Sequence, residues 1–113
     1  MPARIDNVRM EIVPDEDADA SYLEQEGMGF EDRLAAYRQG EFGFVGVRAV
    51  AQIVVGDVLQ EISSPGLWGI EDDSGDDYFR SVFEEELETL RDMLKELSLP
   101  DEELSKLNSA LIP

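Results

Sequence analysis

Glu41-Phe-Gly-Phe-Val-Gly-Val-Arg-Ala-Val-Ala-Gln-Ile-Val-Val55, Gly56-Asp57 and Val58-Leu-Gln-Glu-Ile-Ser-Ser-Pro-Gly-Leu-Trp-Gly-Ile70 read together as a β-hairpin. Val45, Val47, Ala49, Ala51, Ile53 and Val55 fall on one face of the first run, at the period of two that a strand requires. Arg48 and Gln52 fall on the other. Gly56-Asp57 is a two-residue loop of the Gly-X kind, which suits a type II′ turn and sends the chain back antiparallel. In that register the numbers of paired residues sum to 113. Val55 then faces Val58, Ala51 faces Ile62 and Val45 faces Trp68, with Gln60 opposite Ile53 as the misfit. Pro65 and Gly66 predict a bulge or bend, and a free side to the strand there.

Working outward, Arg4–Val13 alternates Val8, Met10 and Ile12 with Arg9 and Glu11, the pattern of a half-buried edge strand that Pro14 stops. Asp15–Asp19 is an acidic loop. Ser21–Arg38 is weakly helical, best over Phe30–Arg38, where Phe30, Leu34 and Tyr37 share a stripe and Gly40 is placed as a stop. After Asp72-Asp73-Ser74-Gly75-Asp76-Asp77, a turn suited to capping a helix, comes the strongest helical pattern, Asp77–Leu97. Phe79, Phe83, Leu87, Leu90, Leu94 and Leu97 recur at intervals of three and four, with Val82 and Met93 widening the stripe. The opposite face carries Glu84, Glu85, Glu88, Asp92, Lys95 and Glu96. A short helix, about residues 100–111, follows, with Ser98 as its cap. The predicted fold is a single acidic α+β domain over residues 1–113: an antiparallel sheet of about three strands, packed by a long amphipathic helix.

Composition narrows function further. The chain has no cysteine and no histidine, so it lacks a disulfide framework, the usual zinc, haem and iron–sulfur ligands, and the commonest nucleophile–base pairs. No catalytic residue, metal or cofactor is expected, and the chain reads as a non-enzyme. Twenty-seven acidic residues against nine basic ones give a formal charge of −18. That field repels nucleic acid and anionic lipid and attracts basic surfaces, including grooves that hold phosphate backbones. High charge can also serve solvation or adaptation to salt. No apolar run approaches the roughly 18 residues of a membrane span, and the N-terminus lacks the apolar segment of a signal peptide, so the expected setting is the cytoplasm.

The Glu71–Asp77 cluster has the residue types for calcium but not the spacing: with Gly75 at the sixth position of an EF-hand loop, the first ligand position falls on Ile70 and the twelfth on Ser81. Ser63-Ser64-Pro65-Gly66 lacks a nucleophile elbow and a histidine to activate a hydroxyl. The lone tryptophan, Trp68, sits between Gly66-Leu67 and Gly69. It is expected in the core against Val45 and the long helix; the alternative is a half-exposed anchor for a partner.

Ile62-Ser-Ser-Pro-Gly-Leu-Trp-Gly-Ile-Glu-Asp-Asp-Ser-Gly-Asp-Asp-Tyr78, with Val45–Val50 upstream and Glu85–Arg91 downstream, resembles a group of small acidic phage and plasmid proteins. Their recurring motif is similar to Ser-Ser-Gly-Gly-Leu-Trp-Gly-Ile-Glu-Ser-Asp-Ser-Gly. The likeness spans Ser21 to Leu97, with Pro65 where the motif has glycine and Asp72 where it has serine. It implies no catalytic residues. It does imply a mobile-element setting, in which small acidic proteins block host defence or repair enzymes, anti-CRISPR proteins among them.

The function expected is therefore inhibition of a basic host protein or ribonucleoprotein complex by nucleic-acid mimicry, without direct nucleic-acid binding. The candidate surface is Glu84, Glu85, Glu88 and Asp92 on the helix, Asp72, Asp73, Asp76 and Asp77 at its start, and Trp68. The competing reading is a non-inhibitory phage or plasmid interaction module that uses the Trp68 hairpin region. The edge strand leaves a homo-oligomer open.

Overall fold

A computed structural model describes residues 3–111. Its spine is the strand β2 (Phe44–Val55), whose Val47, Ala49, Ala51 and Ile53 are buried on one face. β1 (Arg4–Pro14) pairs antiparallel along one side of it, with Met10 opposite Ala49 and Ile12 opposite Val47. An extra residue, Asp6, lies between the pairs Ile5/Ile53 and Asn7/Gln52. Without that bulge Ile5 would point away from Val8, Met10 and Ile12; with it, Ile5 turns into the core at 4% exposure.

The other side of β2 takes two strands end to end, β3 (Val58–Ser63) and β4 (Leu67–Glu71), so the sheet has four strands rather than three. From Val55/Val58 through Val50/Ser63 the register is the predicted one. It then slips twice, to Val47/Leu67 and to Val45/Ile70. The predicted pairing of Val45 with Trp68 is thus corrected: Ile70 takes that place. The first slip spans Ser64-Pro65-Gly66. The second sets Trp68 and Gly69 against Gly46 alone, and Gly69 adopts a positive φ of 73° that favours glycine.

α2 (Asp76–Glu96) lies across the sheet and buries Phe79, Val82, Phe83, Leu87, Leu90 and Leu94. Its stripe ends one residue short of the prediction, because Leu97 is 55% exposed and Leu99 is buried in its place. The cause is the stop. Ser98 takes a left-handed φ of 67°, Ser98 N–H donates to Lys95 C=O at 2.9 Å and Leu99 N–H to Leu94 C=O at 3.2 Å, the two bonds of a Schellman closure with Leu99 folded onto Leu94. Ser98 therefore closes α2 and does not cap the next helix, whose N-cap position belongs to Pro100. The expected C-terminal helix resolves into α3 (Asp101–Leu104) and a 3₁₀ stretch, Ser105–Leu111. Leu104 and Leu107 complete the core, and Glu103 and Lys106 take the backbone N–H and C=O of Ile5 at 2.7 and 3.3 Å.

A second cluster sits around the start of β2. Leu23 from the 3₁₀ turn Ser21–Glu24 packs with Phe42 and Phe44, against Phe30, Leu34 and Tyr37 of α1 (Glu31–Arg38) and its cap. The rings meet mostly edge to face, as at Tyr37–Phe44 with centroids 5.4 Å apart. Gly40 follows α1 at a φ of 76°, in the stop role predicted for it. Two cores in line make the molecule long, 58 × 24 × 21 Å.

Candidate functional site

The stripe buried by α2 dictates what the helix shows outward. Glu84, Glu85, Glu88 and Asp92 are all exposed. At about 100° per residue Asp77, Glu84, Glu85, Glu88 and Asp92 fall within one strip about 100° wide, and at 1.5 Å per residue they span about 22 Å. Glu84 approaches Arg80 at 4.0 Å and Glu88 approaches Arg91 at 3.9 Å, with the Glu88 side chain 74% exposed. Ion pairs this long and exposed hold little energy, so the carboxylates stay available to a partner.

The turn before α2 distributes its acids differently. The turn does cap the helix, but through Gly75, which occupies the N-cap with a φ of 95° and no side-chain cap bond. Asp76 and Asp77 are exposed in the first turn, where the helix dipole favours anions. Asp73 is engaged: Arg33 grips it through two bonds of 2.9 Å, reaches Glu71 at 2.9 Å, and lies 3.9 Å above the Phe42 ring. Hydrogen bonding to Arg33 holds the Asp73 carboxyl below its usual range and makes the guanidinium harder to deprotonate. Asp72 is exposed, while its N–H donates to Gly43 C=O at 2.9 Å. Among the described residues, no group of three carboxylates is placed to hold a metal ion.

Trp68 lies on the face of the sheet away from α2, at 43% exposure. The expected core placement is corrected, and the register slips are the reason: Trp68 falls in the bulge opposite Gly46 while Ile70 turns inward. Its indole N–H donates to Pro65 C=O at 2.9 Å. The ring covers Gly46 so closely that a Cβ there would overlap ring carbons Cδ2, Cε3 and Cζ3, the last at 2.6 Å. Pro14, Asp15, Glu16 and Asp17 border the indole on one side, and Tyr22, Glu71 and Tyr78 on the other. Gly46→Ala should therefore evict the ring, shift the emission of this single tryptophan to the red and cost about 1–3 kcal/mol. An unchanged spectrum in the folded variant would contradict this seat for Trp68.

One polar cluster escaped the sequence reading. Ser64 is 2% exposed; its Oγ accepts from Ala49 N–H at 2.9 Å and donates to Glu86 Oε1 at 2.7 Å, and Gly66 N–H donates to the same oxygen at 2.7 Å. Glu86 thus reaches from α2 to satisfy the backbone where β3 breaks into β4. Its signal was present: on the helix Glu86 projects between Val82, Leu90 and Met93, a charge inside the apolar stripe. With its hydroxyl buried and engaged, Ser64 serves as a clamp for the strand break.

The basic residues are largely spent within the chain. Eight of the nine lie in ion pairs, Arg9 with Glu11 and Glu61 at 3.1 and 3.0 Å, Arg48 with Glu11, and Arg4, Arg33, Arg38, Arg80, Arg91 and Lys106 with their own partners. What remains outward is negative apart from Lys95, which is exposed on α2. Among the described residues no helix is long and apolar enough to cross a membrane. No protein-family model, curated protein or solved structure matches the chain.

Proposed function

We propose that the protein is an acidic nucleic-acid mimic from a mobile element, which occupies a phosphate-binding groove on a basic host protein or ribonucleoprotein complex and so inhibits it in the host cytoplasm. The observation that carries this reading is the outward strip of Asp77, Glu84, Glu85, Glu88 and Asp92 on one rigid helix, with Asp72 and Asp76 nearby. Shape adds to it. A duplex 58 Å long would carry about 34 phosphates at one per about 1.7 Å. The chain sets 27 acidic residues, net −18, on a rod of that length, about half the linear charge of the nucleic acid. Asp73 contributes less than its neighbours because Arg33 holds it.

The test reverses charge in two places with equal change in net charge: Glu84, Glu85 and Glu88 to lysine in one variant, Asp15, Glu16 and Asp17 in another. The target is captured from a bacterial lysate, and competition with DNA or guide RNA is then measured. The helix variant should lose more than tenfold in competition, and the loop variant less. Equal small losses with folding intact would defeat the helix-face reading.

The position of Trp68 favours a second reading, a non-inhibitory interaction module. Leu67, Trp68 and Tyr78 are exposed at 41%, 43% and 42% on or beside β4, and tryptophan is enriched among interface anchors. Trp68→Ala abolishing capture while the helix variant retains it would support the module over the mimic.

A further inference from the structure

We propose that two copies of this chain associate through the free edge of β3, joining their sheets into one eight-stranded antiparallel sheet. Among the described residues β3 pairs with β2 alone, so its second edge presents unpartnered backbone N–H and C=O groups, a template for another strand. The other outer strands are guarded where β3 is not: β1 has the Asp6 bulge, the Glu103 and Lys106 side chains on the backbone of Ile5, and Pro14 at its end, and β4 has only five residues, with Gly69 N–H donating to the Asp15 carboxylate at 2.8 Å.

Charge selects the occupant. Copies carrying −18 each repel over most of their surface, and can meet only where that charge is thin. Residues 53–62 contain two acids, Asp57 and Glu61, and Glu61 is already paired with Arg9 at 3.0 Å. Here too lie four of the ten large apolar side chains exposed among the described residues: Val55 at 41%, Val58 at 54%, Leu59 at 56%, and Leu97 at 55%, the last across a shallow hollow from Val55. A two-fold axis through Gln60 keeps both long helices on the same side of the joined sheet. It sets Val58 against Ile62 of the second copy, and Leu59 against that copy's Glu61.

The test is sedimentation equilibrium of the full chain over on the order of a hundredfold range of concentration. The expected result is a reversible monomer–dimer equilibrium between 12.7 kDa and twice that mass. Salt should strengthen it, because screening relieves the repulsion; binding of a basic partner by mimicry responds to salt in the opposite sense, so the two proposals fail separately. Val58→Glu with Leu59→Glu should leave a folded monomer. Amide exchange of Val58–Ser63 in the unaltered chain, slowed by raising the concentration, checks the same contact if that variant does not fold. A chain that stays monomeric throughout, a dimer that survives the double substitution, or open-ended association would each overturn the proposal.

Discussion

Leu90→Ala is expected to lower the free energy of unfolding by about 2–5 kcal/mol, while Glu88→Ala two residues away changes it by less than about 0.5 kcal/mol. Leu90 has no exposed surface, sits at the middle of the α2 stripe, and packs in the same cluster as β2. Truncating it removes the transfer energy of three carbons and leaves a cavity between two rigid layers that cannot readily collapse. Glu88 points to solvent and meets only Arg91 at 3.9 Å. Urea denaturation of the two variants compares them directly; a similar small change in both would mean that the buried face of α2 is wrongly assigned.

Glu86→Ala is expected to cost about 2–3 kcal/mol, and Glu86→Gln about half as much. The carboxylate accepts from Ser64 Oγ and from Gly66 N–H, both at 2.7 Å. Alanine leaves the buried hydroxyl without its acceptor and strips the Gly66 amide at the strand break of its partner. A glutamine oxygen can accept both bonds but lacks the charge that strengthens them. The comparison again uses urea midpoints at constant m-value. Glutamine no better than alanine would show that Glu86 acts by packing instead of by these bonds.

The contrast between these two residues describes what could be read in advance. Leu90 belongs to a repeating pattern, and so do the β2 face, the hairpin at Gly56-Asp57 and every β2–β3 pair through Ser63. Such features depend on neighbours close in the chain, where period and turn chemistry act. Even the misfit of Gln60 opposite Ile53 has a simple resolution, since Gln60 is exposed near the hairpin end. The break at Pro65-Gly66 was legible, but the pairing beyond it was not, because residue types mark a bulge without fixing how many residues it adds. Two such slips turned Trp68 out and moved Ile70 into the place opposite Val45, and a third at Asp6 turned Ile5 in. Ser98 ended the helical stripe with a left-handed turn more often given to glycine, which moved burial from Leu97 to Leu99.

For the candidate site, the exposed carboxylates of α2 were legible as the complement of its apolar stripe. The partners of individual charges were not. Arg33 meets Asp73 across 40 positions of sequence and Glu86 meets Ser64 across 22, and no local periodicity links residues so far apart. These contacts decide which acids remain outward: Asp73 and Glu86 are committed within the fold, whereas Asp77, Glu84, Glu85, Glu88 and Asp92 are presented to solvent.

The two cores set end to end have a hydrodynamic consequence. The radius of gyration is 17.5 Å, against about 13–14 Å for a compact chain of this length. A body so drawn out suffers more drag than a sphere of equal mass, and its uncompensated carboxylates recruit a swollen counter-ion atmosphere. It will therefore emerge early from a sizing column, ahead of globular standards of 12.7 kDa, even as a single copy. Elution volume alone would make a monomer look like a dimer, so mass must come from scattering or sedimentation, where shape and weight separate.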